Sequence, residues 1–227
     1  MKRSEVLAEL AGRIVALDLP HPTRVAIDGV DAAGKTTLAN ELVDLVEAYG
    51  RKVIRASIDG FHNPAVIRHR SGGGSPEGYF HDSFNYQALK ELLLIPLGPN
   101  GTLQYTASVF DYKTDSELQI EVGIADPSAI LLFDGVFLLR PELAEFWDFS
   151  IFVEASFAVT LSRALRRDVA LFRTSDDVRR RYEERYIPGQ KLYLEQCRPK
   201  ERATVVVDNN DPDNPQLSFC AFVPFCG

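Results

Sequence analysis

Long hydrophobic runs are missing from this chain of 227 residues. No stretch of about 18 apolar residues occurs, so no membrane-spanning helix is expected. Histidine is scarce, and His21, His62, His69 and His81 show no ligand-pair spacing, which argues against a histidine metal site. Cysteine is scarcer still. Cys197, Cys220 and Cys226 are odd in number and lack metal-type spacing, as free thiols in a reducing compartment would. Positive charge is not in surplus: the net charge is −7, which speaks against broad nucleic-acid binding. No repeat and no linker divides the chain. With 45% hydrophobic residues it has enough apolar surface for a full core, and one domain over 1–227 is expected.

The start of the chain, Met1-Lys2-Arg3-Ser4-Glu5, carries an acid early and leads into Val6, Leu7, Leu10, Ile14 and Leu17. That spacing predicts an amphipathic helix within 1–20 rather than the apolar core of a signal peptide. A cytoplasmic enzyme is the default expectation.

What the chain does have is Gly29-Val30-Asp31-Ala32-Ala33-Gly34-Lys35-Thr36, a complete phosphate-binding loop of the form Gly, four residues, Gly-Lys-Ser/Thr. Thr23–Asp28 before it reads as a buried strand. Thr37–Tyr49 after it reads as a helix that Gly50 can stop. The glycines let backbone N–H groups turn inward around an anion, and the helix N-terminus adds a favourable field. An ordinary glycine turn would need neither the lysine nor the threonine. Gly29 to Thr36, with Thr37 opening the helix, are therefore the expected nucleotide contacts. Lys35 would reach the β- and γ-phosphates, and the Thr36 hydroxyl would hold Mg²⁺.

Further apolar strands are expected at Lys52–Ser57, Ala129–Phe133, Phe149–Val153 and Ala203–Val207. Helical patterns lie near Tyr86–Leu94, Ala158–Phe172 and Asp176–Cys197, the last with a candidate break at Pro188-Gly189. Such alternation implies a doubly wound α/β domain with a parallel sheet, whose ligands sit outside the carboxyl ends of the strands. That rule selects the loop at Gly29, then Asp59, Asp134 and Asp208. Two segments interrupt the alternation. Gly60–Asp82 reads as a long Gly-, His- and Arg-rich loop, and Thr102–Tyr112 as a hairpin off the main sheet. The tail, Leu217–Gly227, is apolar (Phe219, Phe222, Val223, Phe225) and is expected to pack on the domain or on a second subunit.

A bound nucleotide alone allows a switch, a motor or a kinase. Asp59, in Ser57-Ile58-Asp59-Gly60-Phe61-His62, follows a strand beside the phosphate loop and is the candidate general base for an acceptor hydroxyl; a turn cap is the plainer reading. Asp134 ends a hydrophobic strand and is the candidate Mg²⁺ ligand with Thr36. Arg163, Arg166 and Arg167 share a helix face, with Arg173 following, and arginines there could stabilise charge on the transferred phosphoryl group or simply face solvent.

Together the phosphate loop, Ser57–His62, Phe133-Asp134-Gly135-Val136-Phe137 and Arg163–Asp168 resemble the uridine kinase and phosphoribulokinase group of P-loop kinases, from about Thr23 to Asp211. The resemblance implies transfer of the ATP γ-phosphate to a primary hydroxyl of a small metabolite, a nucleoside such as uridine or cytidine first. It puts Asp59 on the base and Arg167 on a lid arginine, the lid spanning 158–185. It places Asp208 near the adenine-side loop, and His62 and Asn85 at the sugar. Asp115 takes the place of a base-contacting histidine, and Asp134 and Asn85 replace a glutamate and an aspartate of uridine kinases. An acceptor site over 60–115, lined by His62, Tyr79, Asn85, Tyr112 and Asp115, is the resulting expectation. The same chemistry on pantothenate, a sugar phosphate or nicotinamide riboside is the alternative. A nucleotide switch and a catalytically dead kinase fold are disfavoured: no Asn-Lys-x-Asp segment occurs, and Lys35, Thr36, Asp59 and Asp134 are all intact. The family habit of assembling makes a homo-oligomer an open expectation.

Overall fold

Strand runs without polar alternation have to be covered on both faces, and the sheet is built from them. A computed structural model describes residues 1–219; Cys220, Cys226 and the tail residues Phe222, Val223 and Phe225 lie outside the described residues. Five parallel strands form the sheet: β1 (Thr23–Gly29), β2 (Val53–Ser57), β3 (Ile130–Gly135), β4 (Phe149–Glu154) and β5 (Val205–Asp208). A sixth, β6 (Gln216–Phe219), runs antiparallel at the edge, and the order is β6-β5-β4-β1-β3-β2. From β1 the chain crosses to β2 at one edge, returns to β3 beside β1, and then continues outward through β4 and β5 on the other side, which leaves a crevice at the β1 carboxyl end. The doubly wound α/β fold expected from the sequence is what the chain adopts.

Every residue of β1 and β3 is buried, and their side chains divide between two cores by the period of two. Val25, Ile27, Ile130 and Leu132 pack under two helices, α1 (Arg3–Val15) and α2 (Lys35–Ala48). Ala26, Leu131 and Phe133 face the other way, against Phe137, Leu93 and Tyr193. The helices bury single stripes at helical spacing, Val6, Leu10 and Ile14 in α1 and Leu38, Leu42 and Val46 in α2. None of the helices among the described residues is long and apolar enough to cross a membrane.

Several expectations change in detail. Gly60–Asp82 is not one open loop. It holds a 3₁₀ turn (Ile58–Phe61), a short helix (Ala65–Arg68) and α3 (Pro76–Asp82), which Ser75 caps by accepting from Gly78 N at 2.9 Å. The single hairpin becomes two small ribbons, Gln104–Tyr105 with Gly123–Ile124 and Phe110–Asp111 with Ser116–Glu117. The helix predicted over Ala158–Phe172 ends early, as α4 (Phe157–Arg167), and a separate turn covers Val169–Phe172. Strand β6 went unforeseen, because Gln216 and Ser218 interrupt its apolar pattern.

Pro188-Gly189 does not break the last long helix. After α5 (Ser175–Arg181), a π-helical turn at Tyr182–Tyr186 leads into α6 (Ile187–Cys197). Pro188 falls in the first turn of α6, where its missing N–H costs little. Gly189 serves packing: a Cβ there would lie 2.8 Å from the Pro76 carbonyl oxygen and 2.8 Å from Tyr79 Cδ1. Glycine in an open helix is ordinarily improved by alanine. Here Gly189→Ala should instead destabilise by about 1–3 kcal/mol, because α6 must move off α3. Urea unfolding followed by circular dichroism checks the sign, and a stabilised variant would contradict the close approach.

Candidate active site

The site begins where β1 stops. Asp28, the last residue before the phosphate loop, is fully buried; it accepts from Gly29 N at 2.7 Å, from Leu139 N at 3.3 Å and from the Tyr193 hydroxyl. Burial pushes its carboxyl up to about 6, against the lowering pull of the Tyr193 and Gly29 bonds. The next residue has no room for a side chain. A Cβ on Gly29 would stand 2.3 Å from the Val153 carbonyl oxygen of β4. Gly34, with φ at +104°, then turns the loop into α2.

Neighbours brace the loop along its length. The Asp31 carboxylate accepts from the Tyr79 hydroxyl at 2.6 Å and from Gln190 Nε2 at 2.7 Å, while Asp31 N donates to Gln190 Oε1 at 3.2 Å. Arg163 donates to the Ala33 carbonyl at 3.2 Å and to the Asn209 carbonyl at 2.8 Å, and Asn209 Nδ2 donates to the Ala33 carbonyl at 2.7 Å. Lys35 folds back so that Nζ donates to the Val30 carbonyl at 2.8 Å. Burial lowers the pKa of this ammonium, and the charges of Asp31, Asp28, Asp134 and Asp59 oppose the shift.

A cleft of about 290 Å³ opens on one side of the loop. Lys35, Thr36, Asp59, His62, Tyr79, Tyr112, Asp134 and Arg167 line it. Thr36 Oγ1 donates to Asp134 Oδ2 at 2.5 Å, and Arg55 Nη2 holds the other carboxylate oxygen at 2.6 Å. Among the described residues no three carboxylates or imidazoles gather as a metal cage. One hydroxyl beside one carboxylate is nonetheless the donor set that suits Mg²⁺ shared with nucleotide phosphates, since that ion keeps waters and takes few protein ligands.

Asp59 sits in the 3₁₀ turn after β2, and the capping oxygen there belongs to Ser57, which accepts from Asp59 N at 3.4 Å. The Asp59 carboxylate makes no hydrogen bond among the described residues. It stays open to water at the cleft, yet the surrounding protein raises its pKa, an effect that His62 partly offsets. Desolvation by the surrounding protein is the main cause, and the charges of Asp31 and Asp134 add to it. His62 makes no hydrogen bond to a carboxylate among the described residues: Nδ1 pairs with the Asp59 backbone carbonyl at 3.0 Å, and its ring packs 4.6 Å from Phe84 and 4.9 Å from Tyr112. Burial disfavours its protonated form.

A second hollow of about 430 Å³ lies on the other side, walled by Gly34, Thr37, Glu41, Arg163, Asn209 and Asp213 among others. The two hollows share Ala32 and Arg167. Arg167 is held there by Asp168, at 2.6 Å, and by the Tyr182 hydroxyl at 3.3 Å.

Other sequence-chosen residues lie elsewhere. Asp208 is exposed, and its carboxylate accepts from Asn210 N and Nδ2; Asn209, one residue on, faces the loop instead. Asn85 caps the helical turn Tyr86–Leu89 by accepting from Ala88 N at 2.9 Å. Asp115 accepts from Ala65 N at 2.9 Å and Arg68 Nη2 at 2.7 Å, which anchors the insertion rather than lining the cleft. Arg173 is exposed at a left-handed turn, φ +75°, outside both hollows. Sequence reasoning passed over Asp28, Arg55, Gln190, Tyr193 and Asn209. Only Arg55 left a trace, a charged residue inside an apolar strand.

The raised Asp28 carboxyl makes stability depend on pH. Folded Asp28 keeps its proton up to about pH 6, whereas the unfolded chain releases it near 3.8, so stability falls as pH rises between those values and is level above. The loss amounts to about 3 kcal/mol at neutral pH. In Asp28→Asn that slope should vanish. Urea unfolding of both proteins across this range would show a stability difference that changes with pH; a constant difference would mean that Asp28 does not titrate there.

The chain's similarity to known proteins agrees with this geometry. Residues 25–211 match the model of the Phosphoribulokinase / Uridine kinase family. Uridine-cytidine kinase B of Dictyostelium discoideum is 28% identical over 82% of this chain and 74% of its own length. A pantothenate kinase of Rhodopseudomonas palustris is 27% identical over 74% of the chain, which spans only 56% of that longer relative. A solved structure described as a possible uridine kinase from Bacillus stearothermophilus superposes with a TM-score of 0.71, at 23% identity, over 89% of this chain and 97% of that one. That likeness concerns the fold. With the family match covering most of its length, the chain belongs to the phosphoribulokinase/uridine kinase family of kinases.

Proposed function

We propose that this protein transfers the γ-phosphate of ATP, with Mg²⁺, to a primary hydroxyl of a small metabolite. One observation carries the reading: two hollows, one on each side of the phosphate loop, meet at Ala32 and Arg167. The hollow beside Gly34, Thr37 and Asn209 suits the nucleoside end of ATP, and the cleft beside Asp59 suits the acceptor. The transferred group then passes between them under Lys35 and Arg167.

Each residue has a job in this scheme. Lys35 and the loop N–H groups hold the phosphates. Mg²⁺, held by Thr36 and Asp134 when bound, would neutralise phosphate charge. Asp59, whose carboxylate is otherwise unengaged, takes the proton of the acceptor hydroxyl. Arg167 stabilises the charge spread over the phosphoryl oxygens, and Asp168 and Tyr182 keep it aimed. Adenine as the base rests on family likeness. Uridine or cytidine is favoured as acceptor by the match to uridine-cytidine kinase, and a carboxylated alcohol by the match to pantothenate kinases. Asn85 and Asp115, which a nucleoside would use, are otherwise bonded here.

ADP release across a panel of hydroxylated metabolites tests the activity. Asp59→Asn keeps the side-chain shape and removes the basic oxygen, so turnover should fall ~10² to 10⁴-fold while ATP affinity holds. Near-normal turnover would remove Asp59 from the mechanism.

The two lid arginines should separate. Arg167→Ala should cut turnover by ~10²-fold or more with little change in ATP affinity, and Arg173→Ala should be close to wild type. Equal losses in both would place Arg173 in the closed cleft; no loss in either would make the helix a solvated face.

A further inference from the structure

Beyond the cleft wall lies a group of cations with almost no counter-charge. Arg185, on the π turn, is 6% exposed. One of its terminal nitrogens, Nη1, donates to the Gly73 carbonyl at 2.8 Å, and its guanidinium carbon lies 5.8 Å from the ring centres of both Tyr79 and Tyr186. Its Nε is buried without any hydrogen-bond partner. Arg68 has the same defect: Nη2 pairs with Asp115, but Nε is buried and unpartnered. Arg181 lies over the Phe172 ring at 4.8 Å. Neither Arg181 nor Arg185 has an ion pair among the described residues. Asp82 nearby is engaged by Arg70, and Glu183 by Arg179.

These groups feel one another. Burial depresses the pKa of Arg185, and the charges of Arg181 and Arg68 do so too against the raising effect of Tyr186 and Tyr79, while burial and then the charges of Arg185, Arg68 and Arg181 lower that of His69. Arg68 also weakens protonation of His62 in the cleft. A buried guanidinium with an unmade hydrogen bond and like-charged neighbours costs free energy. An arriving anion would relieve that cost, because a guanidinium fork matches the two oxygens of a carboxylate or phosphate. The backbone at Gly72, Gly73 and Gly74, which supplies the carbonyl that Arg185 holds, is open: a Cβ added at any of the three would meet nothing within 4 Å.

We propose that the acceptor carries a carboxylate or phosphate at the end away from its reacting hydroxyl, and that Arg185, supported by Arg68 and Arg181, receives this anion beside Tyr79 and Tyr186. The proposal rests on the kinase reading and narrows it: the substrate is an acidic alcohol rather than an uncharged nucleoside. Asp59 meets the hydroxyl end and Arg185 the acidic end, so the two ends of the molecule fix its direction in the cleft.

The test uses the full chain with saturating Mg·ATP and matched acceptors. ADP release is compared for pantothenate and pantothenol, D-glycerate and glycerol, ribulose 5-phosphate and ribulose, and for uridine. The acidic member of a pair should be preferred by about 100-fold or more in kcat/KM, since a site built for a polar group rejects analogues that lack it. The carboxylate and phosphate pairs tell which anion is used. Arg185→Gln should raise KM for that acceptor about 10-fold or more, with KM for ATP little changed, and Arg185→Lys should recover part of the loss. If Arg185→Gln does not fold, the exposed Arg181→Gln is used, and it should raise KM for the acidic acceptor alone.

Uridine or a neutral member used as well as the acidic one, and indifferent to these substitutions, overturns the anion site and leaves the kinase reading intact. If ATP binds and no acceptor is turned over, thermal melting with pantothenate, D-glycerate or ribulose 5-phosphate in the presence of Mg·ADP decides. Stabilisation lost in the variant supports the site, and no stabilisation by any of them refutes it. Failure to bind ATP at all counts against the kinase reading, and the same melting series without nucleotide then judges the anion site by itself.

Discussion

The way β1 ends constrains everything at the cleft. Gly29 passes so close to the Val153 carbonyl that no side chain fits, and the loop that follows turns at left-handed Ala32 and Gly34. Such a backbone is costly by itself and persists only where its surroundings hold it. The surroundings do so at three points. Asp28 is tied to Tyr193, Asp31 to Gln190 and Tyr79, and the Ala33 carbonyl to Asn209 and Arg163. Helix α6 contributes two of these ties, and helix α3, helix α4 and the loop after β5 contribute one each. A rigid anion-binding loop is thus a property of the whole α/β layer packing, not of eight residues.

The same ties divide the space around the loop. Tyr79 and Gln190 close one side, where the acids gather, and Asn209 with Arg163 closes the other. Lys35 lies under the loop amid Asp28, Asp31, Asp59 and Asp134, whose charges offset only part of the cost of burying its ammonium. Arg167 stands at the meeting point, fixed by Asp168 and Tyr182. Chemistry at such a place depends on preorganised charge more than on contact area, which is the logic of phosphoryl transfer.

The insertion follows a different principle. Its helices and ribbons are short, and much of its order comes from side chains that cap backbone groups: Ser75 on Gly78, Asn85 on Ala88 and Asp115 on Ala65. Two residues that sequence likeness assigned to an acceptor are therefore spent on building the cleft wall. The side chains with which this part of the chain lines the cleft are aromatic, His62, Tyr79, Phe84 and Tyr112, with Arg185 behind Tyr79.

By itself the sequence determined the class of fold, the phosphate loop and the acids at the strand ends. These features are local: apolar runs bounded by turns, a motif of fixed spacing, and a carboxylate just past a strand, each legible within a dozen residues. The tertiary structure decided what depends on distant neighbours. It put Asn209 rather than Asp208 against the loop: the chain leaves β5 at Asp208, which is exposed, and Asn209 just beyond it is buried on the Ala33 carbonyl. Arg167 came to the cleft and Arg173 stayed out because α4 stops at Asp168, whose carboxylate also orients Arg167. The close approach of α6 to α3 at Gly189, across more than a hundred residues of chain, joined Gln190 and Tyr79 on Asp31. No periodicity or spacing encodes such meetings, since they arise only when separately folded elements pack and their polar groups must find partners.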